Sequence, residues 1–293
     1  MSFNIIKIKG DYNINPPEKK AFTIETSNDD IKLHSLLIAS GKRGGGKTVA
    51  IANLIRAHKA KGYFDRVLLI SPTYESNREI WDIAGIEEDE VYLPTKTVLK
   101  DIKAFIEQER TEWDIFLSKK ASYHSYSNDM KHKPLASFTP EKLIYYLDNK
   151  FFTEPPKWKY ATEQPPRLGL IIDDALGTDL MLPSAGLTRF IIAHRHWGQG
   201  LGISVFMAVQ SYCAKEGLAR PIRENCTHLM LFKCKDLNQR KKILEEIGAD
   251  VDLDKFNELY DFATEKPFEF LFVDFAPKEP TKVFRKCFNE YLQ

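Results

Sequence analysis

The chain has 293 residues, of which 43% are hydrophobic and 28% are charged, as in ordinary globular proteins. Its 42 Lys and Arg residues nearly balance 41 Asp and Glu residues, which excludes a protein that coats nucleic acid through a large positive excess. The uncharged stretch 197–214 is interrupted by glycine and glutamine, and the amino terminus carries charges where a signal peptide has an apolar block. The sequence therefore predicts a soluble, non-secreted protein without a transmembrane segment.

The first third of the chain is predicted to begin with a small β extension and to continue as a strand–helix–strand unit. The predicted elements are two β stretches, Phe3–Ile8 and Phe22–Thr26, around Pro16 and Pro17, a strand over 33–40, a helix over Val49–Lys61 and a strand over Val67–Ile70. A parallel strand buried on both faces typically has such a continuous apolar run. Residues 1–26 are thus predicted to form an N-terminal β extension, followed by the core.

Residues 75–166 differ in composition and are predicted to be a mostly helical insertion between core strands. They contain an acidic stretch, a long helix over Val98–Ser118 and a polar tract over 122–133. Apolar strands then resume at Leu168–Ile172, Ile203–Val209, Thr227–Phe232 and Phe268–Val273. Strands that alternate with helices predict an α/β fold whose mostly parallel central sheet is flanked by helices.

A glycine-rich motif, GKRGGGKT, occupies residues 41–48 between a predicted strand and a predicted helix. It fits the pattern G-x-x-x-x-G-K-[ST], in which glycines let backbone N–H groups point at phosphates and the helix N-terminus adds positive partial charge. Lys47 is expected to contact the β- and γ-phosphates of the nucleotide, and the Thr48 hydroxyl to bind Mg²⁺. The residues predicted to hold the nucleotide are Gly41, Lys42, Arg43, Gly44, Gly45, Gly46, Lys47 and Thr48.

Acidic and amide side chains follow two later apolar strands. Asp173 and Asp174 end the run LGLIIDD, where Asp173 is expected to organise the Mg²⁺ shell and Asp174 to polarise the attacking water. The alternative for Asp174 is a helix N-cap. Gln210 follows the strand Ile203–Val209 and is expected to face the γ-phosphate, since ligands lie beyond the carboxyl ends of parallel strands. The alternative for Gln210 is the start of a surface loop.

Five segments in this order resemble a known family: GKRGGGKT, FDRVLLISPTYESN, LGLIIDD, HRHWGQGLGISVFMAVQ and RPIRENCTHLMLFK. Together, over about residues 31–274, they resemble the poxvirus-type DNA-packaging ATPases of large DNA viruses and virophages, a branch of the FtsK–HerA superfamily of P-loop NTPases. The resemblance implies a RecA-like ATPase domain over 27–293, with the insertion 75–166 inside it. It also implies ATP and Mg²⁺ as cofactors.

The resemblance further implies a homo-oligomeric ring, a pentamer or hexamer, that threads double-stranded DNA into a preformed capsid. The partners would be the DNA and viral capsid or membrane-associated vertex proteins, and the location would be the host cytoplasm at the site of virus assembly, or the virion. Many relatives in the wider superfamily have Glu where this chain has Asp174, which is one methylene shorter.

Ring ATPases commonly complete the site with an arginine from the neighbouring subunit, because a fixed guanidinium stabilises charge on the transferring phosphoryl group. Arg195 and Arg223 are the two candidates for this catalytic role, and a salt bridge or a DNA contact is the alternative for each. His194 and His196 flank the first candidate and are expected to be polar surface groups.

Local charge suggests where DNA or a second subunit binds. Residues 215–242 contain eight basic and three acidic side chains, and residues 243–265 contain eight acidic and one basic. These blocks are predicted either to pair between subunits or to be solvated faces. A basic aromatic tract is predicted to be either a DNA-binding pore loop or a surface insertion, and its members are Lys119, Lys120, Tyr123, Tyr126, Lys131 and Lys133.

Two other functions are compatible with the motifs. One is a small-molecule phosphotransferase, such as a nucleotide kinase, that uses the insertion 75–166 as a lid. The other is an ATP-dependent assembly switch that does not translocate. A kinase would not need an acidic strand end paired with a strand that ends in Gln210.

Overall fold

The computed structural model describes residues 26–27, 29–212, 218–234, 236–247 and 251–292. Its strands are β1 Leu36–Ser40, β2 Arg66–Ile70, β3 Val91–Tyr92, β4 Leu168–Ile172, β5 Ser204–Val209, β6 His228–Phe232, β7 Phe270–Asp274, β8 Phe284–Lys286 and β9 Glu290–Leu292. Its helices are α1 Lys47–Ala60, α2 Arg78–Ile83, α3 Val98–His132, α4 Pro140–Asp148, α5 Leu187–Ile192, α6 Trp197–Gly200, α7 Arg220–Glu224, α8 Leu237–Ile247 and α9 Leu253–Ala263. The predicted N-terminal β extension lies almost wholly outside the described residues.

The strands form one sheet in the order β3-β2-β4-β5-β1-β6-β7-β8-β9. The six strands from β3 to β6 are parallel, and the remaining pairings, β6 with β7, β7 with β8 and β8 with β9, are antiparallel. The predicted α/β class with a mostly parallel sheet is therefore confirmed. The antiparallel pairings of β8 with β7 and β9 follow from connection length, because the short links between these strands cannot make the crossover that parallel neighbours need.

Strand β1 lies at the centre of the sheet, and all five of its residues are buried. It pairs with β5 so that Ser40 lies opposite Val209. Its alternating side chains enter two apolar layers, one packed against α1 through Ile51 and the other against α3 through Ile102. Because β1, β4 and β5 are parallel and in register, their carboxyl ends meet at one edge of the sheet.

Helix α3 is longer than the sequence pattern predicted, running to His132 instead of ending at Ser118. No glycine or proline interrupts residues 98–133, and Pro134 follows directly. Since these two residues are the strongest helix breakers, the polar tract over 122–133 continues the helix. The interpretation of this tract as a pore loop is wrong.

The aromatic side chains of the tract pack against the segment that follows it. The ring of Tyr126 lies 4.8 Å from that of Tyr146 and 5.4 Å from that of Phe152, measured between centroids. Lys133, directly after α3, pairs with Asp129 at 2.9 Å while its side chain stays exposed. The carboxyl-terminal part of α3 thus packs against α4 and the residues that follow it.

We expect Tyr126→Ala to lower the free energy of unfolding by about 1–3 kcal/mol, because it removes a half-buried ring from an aromatic cluster. A thermal melt measures the loss, and His124→Ala on the exposed side of the same helix is the control. An unchanged melting temperature together with lost DNA-stimulated ATPase activity would restore the pore-loop interpretation.

The basic and acidic blocks pair within the chain where the structure describes them. Arg240 of α8 lies 2.8 Å from Asp261 of α9, and Arg223 of α7 lies 2.8 Å from Glu246 of α8. These two ion pairs lie within one chain, while pairing between subunits and solvated faces both stay predictions for the other residues of the two blocks. No helix in the described part of the chain combines the length and apolar character needed to cross a membrane.

Candidate nucleotide-binding site

The glycine-rich segment 41–48 connects the central strand β1 to helix α1. Gly41 N donates a hydrogen bond to Val209 O at 3.1 Å, and a Cβ atom at Gly41 would lie 2.5 Å from Cβ of Phe232. Gly46 precedes α1 with φ 95°, a left-handed conformation that glycine adopts without strain. Both ends of the loop therefore require glycine, one for space and one for backbone conformation.

Lys47 is the first residue of α1, and its side chain folds back over the loop. Its Nζ donates hydrogen bonds to Gly41 O at 2.7 Å and Lys42 O at 3.0 Å. Burial lowers the pKa of Lys47, and the negative charges of Asp173 and Asp174 oppose this shift. The ammonium group is thus held against the backbone of the glycine-rich loop, where a lysine that binds phosphate is expected to lie.

Asp173 follows strand β4 and lies against Thr48, although 125 residues separate them in the chain. The Thr48 hydroxyl lies 3.2 Å from both carboxylate oxygens, and Asp173 N donates to Ile70 O at 3.0 Å. Burial raises the pKa of Asp173 to about 6, and the charge of Asp174 adds to the rise, while Thr48 and Lys47 lower it. A buried carboxylate of raised pKa is held here by the sheet and aimed at α1.

The pair formed by Thr48 and Asp173 fits a magnesium ion. Two adjacent ligands of an octahedral ion with bonds of 2.0–2.1 Å are about 2.9 Å apart, close to the oxygen separation seen here. Mg²⁺ prefers oxygen ligands and usually takes few of them from the protein, leaving positions for phosphate and water. Thr48 and Asp173 are therefore suitable as the two protein ligands.

Asp174 and Gln210 are exposed at the same edge of the sheet. Asp174 has φ 51°, a left-handed conformation that Asp tolerates better than most residues, and a turn rather than a helix follows it. The alternative role of Asp174 as a helix N-cap is thereby excluded. Gln210 directly follows β5, which lies between β1 and β4, so this residue is placed between the phosphate loop and the two aspartates in the order of the strands.

One cavity of about 750 Å³ unites these groups. Its lining includes Arg43, residues 44–48, Asp173, Asp174 and Gln210. Of the predicted nucleotide-binding residues, only Gly41 and Lys42 lie outside this lining; they line a second cavity of about 470 Å³ on the other side of the loop. The structure brings the predicted site residues together, while their individual roles stay predictions.

The cavity also has walls that sequence reasoning missed. Thr73, Ser76 and Asn77 line it beyond the carboxyl end of β2, and Asn77 Nδ2 donates to Thr73 Oγ1 at 3.3 Å. The sequence signal for these three residues is a set of small polar side chains after an apolar strand. The same signal identified Asp173 and Gln210. Phe268, Phe270 and Phe288 form an aromatic wall on the opposite side, for which the sequence offered no signal.

The two candidate arginines lie away from this cavity. Ile203 N donates to His194 O at 3.0 Å, which places Arg195 beside the amino end of β5, and α7 carries Arg223 toward the amino end of β6. Neither lines the cavity of its own chain, so the predicted role of either would be played in the site of a neighbouring subunit. Arg195 is exposed, whereas the guanidinium of Arg223 is held by Glu246.

His194 is buried, and the expectation that it is a surface group is wrong. Its ring nitrogens lie 2.6 Å from Ile191 O and 3.0 Å from His34 O. Burial lowers the pKa of His194 because desolvation disfavours its charged form. His196 is exposed, as expected.

The strand–glycine loop–helix unit, with the acidic strand end facing it, settles the fold. It is that of a P-loop NTPase. The RecA-like α/β class predicted from the sequence is confirmed. No protein-family model matches this chain, and no curated protein matches it either.

Comparison with solved structures finds distant similarities. The conjugation coupling protein TcpA of pCW3 is 14% identical with a TM-score of 0.42, covering 83% of this chain, which spans only 58% of the TcpA chain. The genome packaging NTPase B204 from Sulfolobus turreted icosahedral virus 2, in complex with ATP-gammaS, is 14% identical with a TM-score of 0.41, covering 88% of this chain and 96% of B204. EssC (ATPases 2 and 3) from Geobacillus thermodenitrificans is 13% identical with a TM-score of 0.43, covering 82% of this chain and 38% of EssC.

Proposed function

We propose that this protein is an ATPase that drives double-stranded DNA into a preformed viral capsid. The observation that carries the ATPase part is the single cavity in which the phosphate loop, the Thr48–Asp173 pair, Asp174 and Gln210 converge. Phosphate ligands, a magnesium site and a polar group beside the attacking water are the parts that phosphoryl transfer to water requires.

Each of these residues of the cavity has a separate role in ATP hydrolysis. The loop amides and Lys47 bind the β- and γ-phosphates, and Thr48 and Asp173 hold Mg²⁺, which neutralises phosphate charge when bound. Asp174 orients the water that attacks the γ-phosphorus and accepts its proton as the bond to the β–γ bridging oxygen breaks, giving ADP and phosphate. Gln210, between loop and carboxylates, responds to the presence or loss of the γ-phosphate.

The DNA-translocating part of the proposal is supported by the ordered set of motifs that resemble packaging ATPases. In that arrangement, copies of the chain form a ring of five or six, and an arginine of one subunit completes the site of the next. Exposure favours Arg195 for this role, since Arg223 would first have to leave Glu246. Capsid or membrane-associated vertex proteins would dock the ring at the assembly site in the host cytoplasm.

We expect double-stranded DNA to raise the ATP hydrolysis rate at least about tenfold, which corresponds to about 1.4 kcal/mol in activation free energy. The measurement is the steady-state rate against DNA concentration, repeated at increasing salt, which should weaken the stimulation because phosphate contacts release counterions. A hydrolysis rate that does not depend on DNA at any salt concentration would contradict DNA translocation but would not contradict the proposed ATPase activity.

The two alternatives predict different outcomes in the same assay. A nucleotide kinase would require a small phosphoryl acceptor and ignore DNA, and an assembly switch would bind its partner only with ATP while DNA leaves turnover unchanged. Of the insertion 75–166, which would be the lid of a kinase, Ser76, Asn77 and Ile80 line the cavity, whereas none of the described lining residues belongs to α3 or α4.

A further inference from the structure

We propose that Phe268 is the platform on which the purine base of the nucleotide stacks. This inference rests on the proposed ATPase site and adds to it the group that holds the base end. Three observations carry it: the direction in which the nucleotide must extend, the contact between Phe268 and the phosphate loop, and the backbone strain at Phe268.

The order of the strands gives the nucleotide its direction. Strand β1, which leads into the phosphate loop, has β5 and β4 on one side and β6, β7 and β8 on the other. The groups for the metal and the γ-phosphate, Asp173, Asp174 and Gln210, all follow β4 and β5. The base end therefore extends toward β7, where the wall of the cavity consists of phenylalanines.

Phe268 is the exposed member of that wall and touches the loop itself. A Cβ atom at Gly46 would lie 3.1 Å from Cδ1 and 3.3 Å from Cβ of Phe268, yet 68% of the residue remains exposed. Phe270 is buried, and its ring packs at 5.1 Å from that of Phe288, so these two support the wall. Phe268 thus presents an aromatic surface next to the first turn of α1.

Phe268 adopts φ 69°, which is unfavourable for a bulky side chain. The turn is held by hydrogen bonds between residues 266 and 269, and Lys286 Nζ lies 3.2 Å from the carboxylate of Glu269. Backbone strain lowers the stability of the folded protein, and an exposed aromatic ring does not compensate for it. Strained residues of this kind often occur at ligand-binding sites. Stacking of a nucleotide base on the exposed ring is a function that explains this geometry.

The test compares ATP with inorganic tripolyphosphate, a probe that has the phosphates but no base. Phe268→Ala is expected to weaken ATP binding about tenfold, measured by isothermal titration calorimetry, and to leave tripolyphosphate binding unchanged. Phe268→Tyr keeps an aromatic face and should retain the affinity for ATP. Phe152→Ala, at an exposed phenylalanine outside the cavity, is the matched control.

Phe268→Gly separates stacking from folding. It should weaken ATP binding as Phe268→Ala does, but raise the melting temperature, because glycine adopts positive φ without strain. Equal loss of ATP and tripolyphosphate binding, or unchanged ATP binding in Phe268→Ala, would overturn the inference. If wild-type protein binds ATP and Lys47→Ala does not, such a result leaves the proposed function intact; if wild-type protein binds neither probe, both proposals fail.

Discussion

Replacing Lys47 by alanine is expected to reduce ATP hydrolysis at least about 100-fold, the range seen when one charge-stabilising donor is removed from an active site. Its ammonium group lies at the start of α1, against Gly41 O and Lys42 O, where it would meet the developing charge on the phosphates. The measurement is the steady-state rate of phosphate release with saturating Mg²⁺ and ATP.

Arg56→Ala is the matched control for this variant, because Arg56 is an exposed basic residue on the same helix and lies outside the cavity. It should leave the rate unchanged, and circular dichroism should show both variants folded. A Lys47→Ala protein that folds and hydrolyses ATP at the wild-type rate would refute the assignment of the cavity as a nucleotide site.

Asp173→Asn is expected to abolish Mg²⁺-dependent hydrolysis and yet to stabilise the fold near neutral pH. The folded-state pKa of about 6 exceeds the ordinary value of 3.8, so the folded protein binds a proton that the unfolded chain has lost between about pH 4 and 6. The wild-type free energy of unfolding therefore falls as pH rises through this window. Asn cannot titrate, so the variant avoids this loss, which amounts to about 3 kcal/mol for a rise in pKa from 3.8 to about 6.

The measurement is denaturant unfolding without Mg²⁺ from pH 4 to 8. The stability difference between Asp173→Asn and wild type should be large above pH 6 and small near pH 4. Asp179→Asn, which makes the same substitution at an exposed aspartate outside the cavity, is the control. A variant that is less stable than wild type at pH 8 would show that the Asp173 carboxylate stabilises the fold and would contradict its description as a carboxylate whose charged form is disfavoured by burial.

Local patterns in the sequence predicted much of the fold and part of the site. Strand β4 was predicted with its observed bounds, Leu168–Ile172, and α1 to within two residues at each end. Such elements depend on apolar spacing and on glycine at the loop, which are properties of neighbouring residues. Helix α3 was underestimated because a run of polar residues was given more weight than the absence of glycine and proline.

Features that depend on distant contacts were missed or left open. His194 was expected at the surface, but it is buried, and its two ring nitrogens lie at hydrogen-bond distance from two backbone carbonyl oxygens. Arg223 was a candidate for catalysis in a neighbouring subunit, but it pairs with Glu246 on another helix of its own chain. Residue type alone did not indicate these partners, because each of them comes from a different element.

The sequence by itself determined the phosphate loop, the α/β class and the acidic strand end, since each is encoded in a short segment whose hydrogen-bonding and packing needs are local. Only the tertiary structure decided that Asp173 meets Thr48, that Gln210 stands between loop and carboxylates, and that Phe268 closes the other side of the cavity. Strand order and register bring these residues together. Order and register are set by the way whole strands bury their apolar side chains against one another, and no single sequence motif specifies this packing.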